Sequence, residues 1–327
     1  MTLAELVQRR AAGSVAGSVP VWALGCFRRR SITFATGATD TETLVLWLQS
    51  RGLTFDLRLP AGGPSLSGAA PLAERSPEVL AALAKVEGGL ARTHWDGRTM
   101  RWSDWTSFQT HDRWPEPGLL ARVGDCLTEH APSGAYVEDW RLQPSDDGAL
   151  VGWRLIDERD AAGTVRHRGG GLVVCGRHAA LVLGRPAPLP VAGTIAELVH
   201  EHAGDRSLMR AVFAFEASYG VWTGDSFVVA ASTNPLRVGL PLLDLHGFDH
   251  DDVQGLIVQR TRVEGVAVER RFAVDTLERD VTFPLGTEPT SEGQLWLRRE
   301  GPTLLAQARP PEPLTITGFP RPPGARP

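Results

Sequence analysis

Among 34 basic residues this chain of 327 has a single lysine, Lys85, and that scarcity is the first thing to read. Lys85 lies in SPEVLAALAKVE, on the polar side of a helix-like pattern, so Schiff-base chemistry, which needs a desolvated amine, is not indicated. Cysteine is also scarce. Cys26, Cys126 and Cys175 are odd in number and widely spaced, which spells neither a disulfide framework nor a CxxC metal half-site. Runs of about 18 apolar residues, the length a membrane helix needs, are missing. The first residues, MTLAELVQRRAAGSVAGSVPVW, read as a short helix and a Gly/Ser/Ala tether without the apolar core of a signal peptide, so a cytoplasmic location is expected. No G-x-S-x-G elbow, P-loop or G-x-G-x-x-G is present, so no organic cofactor is expected. The formal charge of −4 and the lack of a strongly basic segment argue against a nucleic-acid partner. Arg28, Arg29 and Arg30 read as a solvated strand face.

Turn pairs recur between short alternating stretches: Arg51-Gly52, Asp96-Gly97, Asp147-Gly148, Gly224-Asp225, Glu264-Gly265 and Glu300-Gly301. That is the pattern of antiparallel hairpins. Two stretches read as amphipathic helices. One runs over 76–86, with Ser76 as N-cap and Pro77 at its first position; the other over 194–202, with Thr194 and Glu197 as a capping box. The fold class is therefore mostly β, antiparallel barrels or a sandwich with two short helices. The Pro/Gly-rich stretch GRPAPLPVAG places a boundary between a first unit at 17–188 and a second β unit at 189–310, followed by a flexible tail at 311–327. No repeat of fixed period stands out beyond a strand-rich block that reappears after a helix.

The most informative stretch is LVLWLQSRGLTFDLRLP at 44–60. A two-residue loop at Arg51-Gly52 opposes Leu48 to Phe55, Leu46 to Leu57 and Leu44 to Leu59 on one face, and Gln49 to Thr54, Trp47 to Asp56 and Val45 to Arg58 on the other. One face is oily and one mixed. If the mixed face lines a lumen, it suits a small molecule with aromatic and polar parts, with Arg58 as ionic anchor beside Asp56. If the oily face fills the lumen instead, Asp56 and Arg58 are an exposed pair. The same arithmetic at Asp147-Gly148 opposes Leu142 to Trp153 and Trp140 to Leu155, in line with Tyr136 and Glu138; a desolvated Glu138 is a candidate acid or base. In LHGFDHDD, His246 and His250 could share a metal only on a helix, and Gly247 favours a loop, so no metal is expected. His94 and His111 are further candidate bases whose plain reading is a loop.

The segments WLQ..L.FDLRLP, RWSDWTSFQ at 101–109, YVEDW at 136–140, GGLVVCGR at 170–177 and STNPLRVG at 232–239 resemble a group of poorly characterised bacterial and fungal proteins with a lipocalin-like, two-barrel architecture of the calycin kind. The resemblance covers about residues 20–240 and implies a small-molecule cavity. Its pattern is matched by Trp47, Gln49, Asp56, Arg58, Gln109, Tyr136, Glu138 and Trp140. In that group the residue equivalent to Trp102 is often followed by His-Arg; here Ser103-Asp104 follow, which implies binding without turnover or a different base. The expectation is a binding protein for a small, partly aromatic or carboxylated molecule. Arg58, Trp47, Gln49, Gln109, Trp140 and Trp153 would form its site. Glu138, Asp56 and Tyr136 are the proton-transfer candidates for any isomerase, cyclase or lyase chemistry. The rival expectation is a protein-interaction module with filled barrels; whether the chain is an enzyme, and its oligomeric state, stay open.

Overall fold

The computed structural model describes residues 1–11, 19–64, 66, 68, 70–111, 116–190, 192–286, 295 and 298–299. The first sheet is a closed antiparallel barrel. Its eight strands are β1 (Gly25–Phe34), β3 (Leu44–Gln49), β4 (Leu53–Leu59), β5 (Glu87–Trp95), β6 (Thr99–Ser107), β7 (Gly118–Val123), β8 (Cys126–His130) and β9 (Tyr136–Leu142), and β9 pairs back onto β1. A two-residue spur, β2 (Thr39–Asp40), lies on the far end of β1.

The second sheet contains β10 (Gly148–Asp160), β11 (Val165–Arg168), β12 (Gly170–Cys175), β13 (His178–Leu183), β14 (Glu216–Trp222), β15 (Phe227–Ser232), β16 (Phe248–Asp251), β17 (Leu256–Val263) and β18 (Val266–Val281). Its order is β15-β14-β13-β12-β10-β18-β17-β16, with β11 beside β10. The two sheets change over between Leu142 and Gly148. Residues 148–183, which the sequence grouped with the first barrel, therefore hydrogen-bond in the second sheet. Among the described residues the chain also forms the helices α1 (Leu3–Arg10), α2 (Pro77–Leu83), α3 (Ile195–His202) and α4 (Arg206–Phe213). The Thr194/Glu197 capping box is formed. Helix α4, opened by Asp205 accepting from the Ser207 and Leu208 amides, was not among the helices read from the pattern.

Both sheets follow one plan. With the short β2 and β11 left aside, their first and last strands pair (β1 with β9, β10 with β18), helical segments intervene between the third and fourth strands, and pairing is poorest between the fifth and sixth. There β6 bonds to β7 only at Thr99 and Met100, and β15 does not pair with β16. The exposed edge of β15 is taken up instead by the segment around Pro241, where the Leu242 amide donates to the Phe227 carbonyl at 2.7 Å.

The hairpin at 44–59 has the register derived from its sequence, residue for residue. Its oily face lies outside the barrel against the second sheet and the helices: Leu46, Leu48, Phe55 and Leu57 share a core with Val173, Cys175, Ala180, Val182 and Tyr219. The opposite faces of β12 and β13, carrying Leu172, Val174, Ala179 and Leu181, belong to a second core built around Trp153, Phe248 and Phe272. Burial on both faces explains why GGLVVC and HAALVL are continuous apolar runs rather than alternating ones. At about 1.5–3 kcal/mol for each large aliphatic group fully buried, the contact between the sheets is a principal source of stability. Two glycines let the halves meet. A Cβ at Gly52 would lie 2.5 Å from Asp275 of β18, and one at Gly88 would lie 2.9 Å from the Ala217 methyl. Arg51, beside Gly52, forks onto Glu278 at 2.9 and 3.1 Å.

The loops Arg51-Gly52, Gly224-Asp225 and Glu264-Gly265 close hairpins as expected. Glu264 and Gly265 both sit at positive φ (51° and 81°), the primed turn whose twist matches that of the strands. A turn at Asp96-Gly97 joins β5 to β6. Asp147-Gly148 does not close a hairpin: β9 stays in the barrel while β10 starts the second sheet, so Trp153 never faces Leu142. Glu300-Gly301 and the tail at 311–327 fall outside the described residues.

Candidate functional site

The mixed face of the β3–β4 hairpin looks into the barrel. Arg58 is 6% exposed, and its fork grips Asp56, Nε to Oδ1 at 2.8 Å and Nη2 to Oδ2 at 3.1 Å. Its Nη1 lies 3.6 Å from Oε1 of Glu138, which is 1% exposed. The same Glu138 oxygen accepts from Arg29 Nη1 at 2.8 Å, while Arg29 Nη2 reaches Asp40 at 2.6 Å. Burial alone would lower the Arg58 pKa, but the charges of Asp56 and Glu138 outweigh it and raise it.

Glu129 completes the set. It stands directly opposite Glu138 across β8 and β9, both side chains inside the barrel, and accepts from the Tyr136 hydroxyl at 3.0 Å. Burial, then repulsion from Glu138, pushes the Glu129 pKa up to about 8, against the lowering effects of Tyr136 and Arg58. Raised this far, Glu129 keeps its proton near neutral pH, while Glu138 has Arg29 in hydrogen-bond contact. Burial and the Glu129 charge in turn raise the Tyr136 pKa. Room for the Glu129 carboxyl comes from Gly118 on β7, where a Cβ would lie 3.0 Å from its Oε1.

A void of about 20 Å³ remains in the lumen, walled by Trp47, Thr54, Asp56, Arg58, Trp102, Trp105, Glu129 and Trp140. That is room for about one water molecule. Trp47 and Trp140 meet edge to face at 5.3 Å, and the Trp140 indole N–H, buried on this wall, finds no hydrogen-bond acceptor among the described residues. Trp102 and Trp105 are partly exposed, on the part of β6 that has left β7.

Of the residues singled out from the sequence, Trp47, Asp56, Arg58 and Trp140 wall the void, and Glu138 and Tyr136 adjoin it through Arg58 and Glu129. Gln49 does not wall the void. It ties a knot, donating to the Ser50 and Leu53 carbonyls and the Thr93 hydroxyl while accepting from Trp47 Nε1 at 2.9 Å and Thr54 Oγ1 at 2.6 Å. Gln109 lies elsewhere, holding the Ala84 and Val86 carbonyls at the end of α2. Trp153 packs in the second sheet, 5.8 Å from both Phe248 and Phe272. His94 is exposed on the wall and bonds Ser103 at 2.8 Å. His246 and His250 bond Asp244 and Asp252, and among the described residues no group of three or more His, Cys, Asp or Glu is placed to hold a metal.

Sequence reasoning missed Glu129 and Trp105 and read Arg29 as part of a solvated strand face, whereas it is buried against Glu138. A signal for Arg29 exists: it stands two places from Phe27, which pairs with Trp47, so alternation puts both on the lumen face. Among the described residues no helix is long and apolar enough to cross a membrane. No protein-family model matches this chain, and no curated protein does either.

Proposed function

We propose that the chain is a lipocalin-like small-molecule binding protein of the calycin type, with the lumen of the first barrel as its site. The supporting observation is the convergence of Arg29, Arg58, Asp56, Glu129 and Glu138 on one tryptophan-walled space, where an indole N–H lacks an acceptor. Charged groups are costly to bury, and a barrel meant only to be filled would use aliphatic side chains. The opening along β6 past Met100 is the route of entry, and Trp102 and Trp105 are the side chains that turn aside to enlarge the void. The Arg58 fork is already satisfied by Asp56, so a carboxylate ligand competes with that pair, whereas a hydrogen-bond acceptor for Trp140 meets no competitor among the described residues.

Any turnover belongs to cofactor-independent acid/base chemistry. A protonated Glu129 donates, and the Tyr136 hydroxyl and Glu138 relay or accept. The second reading, a non-catalytic protein-interaction module with filled barrels, is favoured by the size of the void. Native mass spectrometry of protein purified from its source tests the first reading by seeking a retained small molecule, with quenching of Trp47 and Trp140 fluorescence on adding it back. A chain that carries nothing, and whose fluorescence no extract of its source perturbs, leaves the filled-barrel reading standing.

A further inference from the structure

We propose that the second sheet holds a separate binding site for an amphipathic 2-hydroxycarboxylate, a molecule with an apolar body and a carboxylate next to a hydroxyl. Among β11, β13, β17 and the segment 241–246 there is a cavity of about 610 Å³, within the roughly 300–1,000 Å³ of small-molecule pockets. Leu181, Leu183, Phe213, Phe215, Leu242 and Leu243 supply its apolar wall.

A buried polar cluster from β10, β11 and β18 supplies the rest. Glu158, fully buried, accepts from Arg270 Nε through Oε2 at 2.7 Å, and the other Arg270 arm donates to Gln259 at 3.2 Å. The remaining oxygen, Oε1, has no hydrogen-bond donor among the described residues, and Arg166 Nη1 has no acceptor. Arg166 Nε stands 3.6 Å from that oxygen, too far for a hydrogen bond. His167, also on the wall, donates through Nδ1 to the Gly184 carbonyl at 3.0 Å, and burial lowers its pKa, so the ring is neutral.

Within this buried cluster two arginines meet one carboxylate, which leaves a positive charge beside the apolar wall for an anion to complete; of the other carboxylates lining the cavity, Glu216 is paired with Arg237 at 2.9 Å, Asp244 accepts from the Thr261 hydroxyl at 2.7 Å, and Asp225 and Glu264 are exposed. A plain carboxylate would set its charge beside the unsatisfied Glu158 oxygen. A 2-hydroxycarboxylate avoids this, because its hydroxyl donates to Glu158 Oε1 while its carboxylate accepts from Arg166. The first barrel uses the same device with the charges exchanged: Arg29 on its first strand meets Glu138 on its last, as Glu158 of β10 meets Arg270 of β18. This inference is independent of the reading given for the first lumen.

Calorimetric titration of the full chain with 3-phenyllactate and with 3-phenylpropionate, which lacks only the hydroxyl, tests it. The hydroxy acid should bind about tenfold or more tightly than its analogue, because one hydrogen bond to a buried charged group is at stake. Arg166→Met should weaken both acids about tenfold or more, and Leu243→Trp, which fills the cavity, should abolish binding. Arg166 is 27% exposed and anchors no core, so that variant decides the matter even if Leu243→Trp fails to fold. Absence of binding by the unmodified chain, equal affinity for the two acids, or undiminished affinity in either folded variant would overturn the proposal.

Discussion

Glu129→Gln gives the sharpest test of the lumen electrostatics. In the folded chain the Glu129 pKa stands near 8 through burial and the facing Glu138, against an ordinary value of 4.5. Between these values the folded state holds a proton that the unfolded chain has released. Stability therefore falls as pH rises through this window: the penalty is absent below about pH 4.5 and complete above about pH 8. One proton corresponds to about 1.4 kcal/mol per pH unit, so from pH 5 to pH 8 the loss amounts to about 3 to 4 kcal/mol. Glutamine keeps the shape and an oxygen for the Tyr136 hydroxyl but does not titrate. Urea unfolding followed by tryptophan fluorescence, run on both proteins at pH 5, 6, 7 and 8, reads the Glu129 proton by difference, because titrations remote from the first lumen are common to the pair. The unmodified chain should lose about 3 kcal/mol relative to the variant over that range. Parallel stability curves would refute the assignment of the proton to Glu129.

Three further outcomes follow from the packing. Arg58→Met should cost about 3–5 kcal/mol by leaving Asp56 and Glu138 short of a cation, and adding Asp56→Asn should restore much of it in a double-mutant cycle read by urea unfolding. Gly88→Val should destabilise by about 1–3 kcal/mol or more, because its side chain would meet Ala217 at 2.9 Å, Thr233 at 3.0 Å and Leu57 at 3.2 Å, on walls from both sheets; an unchanged midpoint would contradict the close approach. Burial pushes the Cys126 thiol up to about 12 and also raises those of Cys26 and Cys175. A disulfide reagent at pH 8 should therefore label none of the three at the rate of a free thiol until the chain is unfolded, and one fast thiol would be inconsistent with this burial.

The features legible in the sequence are those decided within a few residues. The Arg51-Gly52 loop and the alternation around it set the register from Leu44 to Leu59, and the Glu264-Gly265 loop likewise opposes Arg260 to Glu269, which meet at 2.9 Å. The capping box at Thr194 is equally local. Asp147-Gly148 shows the limit of that logic. The turn residues and flanking apolar strands are all present, yet β9 finds better burial by closing on β1, and β10 by lying between β12 and β18.

Alternation says that the two faces of the 44–59 ribbon differ, but not which face meets the lumen. That was settled by the second sheet, which covers the leucines from outside and leaves the inside to Trp47, Asp56 and Arg58. Closure of the barrel likewise recruited Arg29 and Glu129, whose partners are on strands remote in the chain or hidden in an ordinary alternation. Period-two patterning is a property of one strand, whereas burial and pKa depend on what packs against it. The size of the remaining space depends on every side chain that points inward, and so only the folded molecule could decide it.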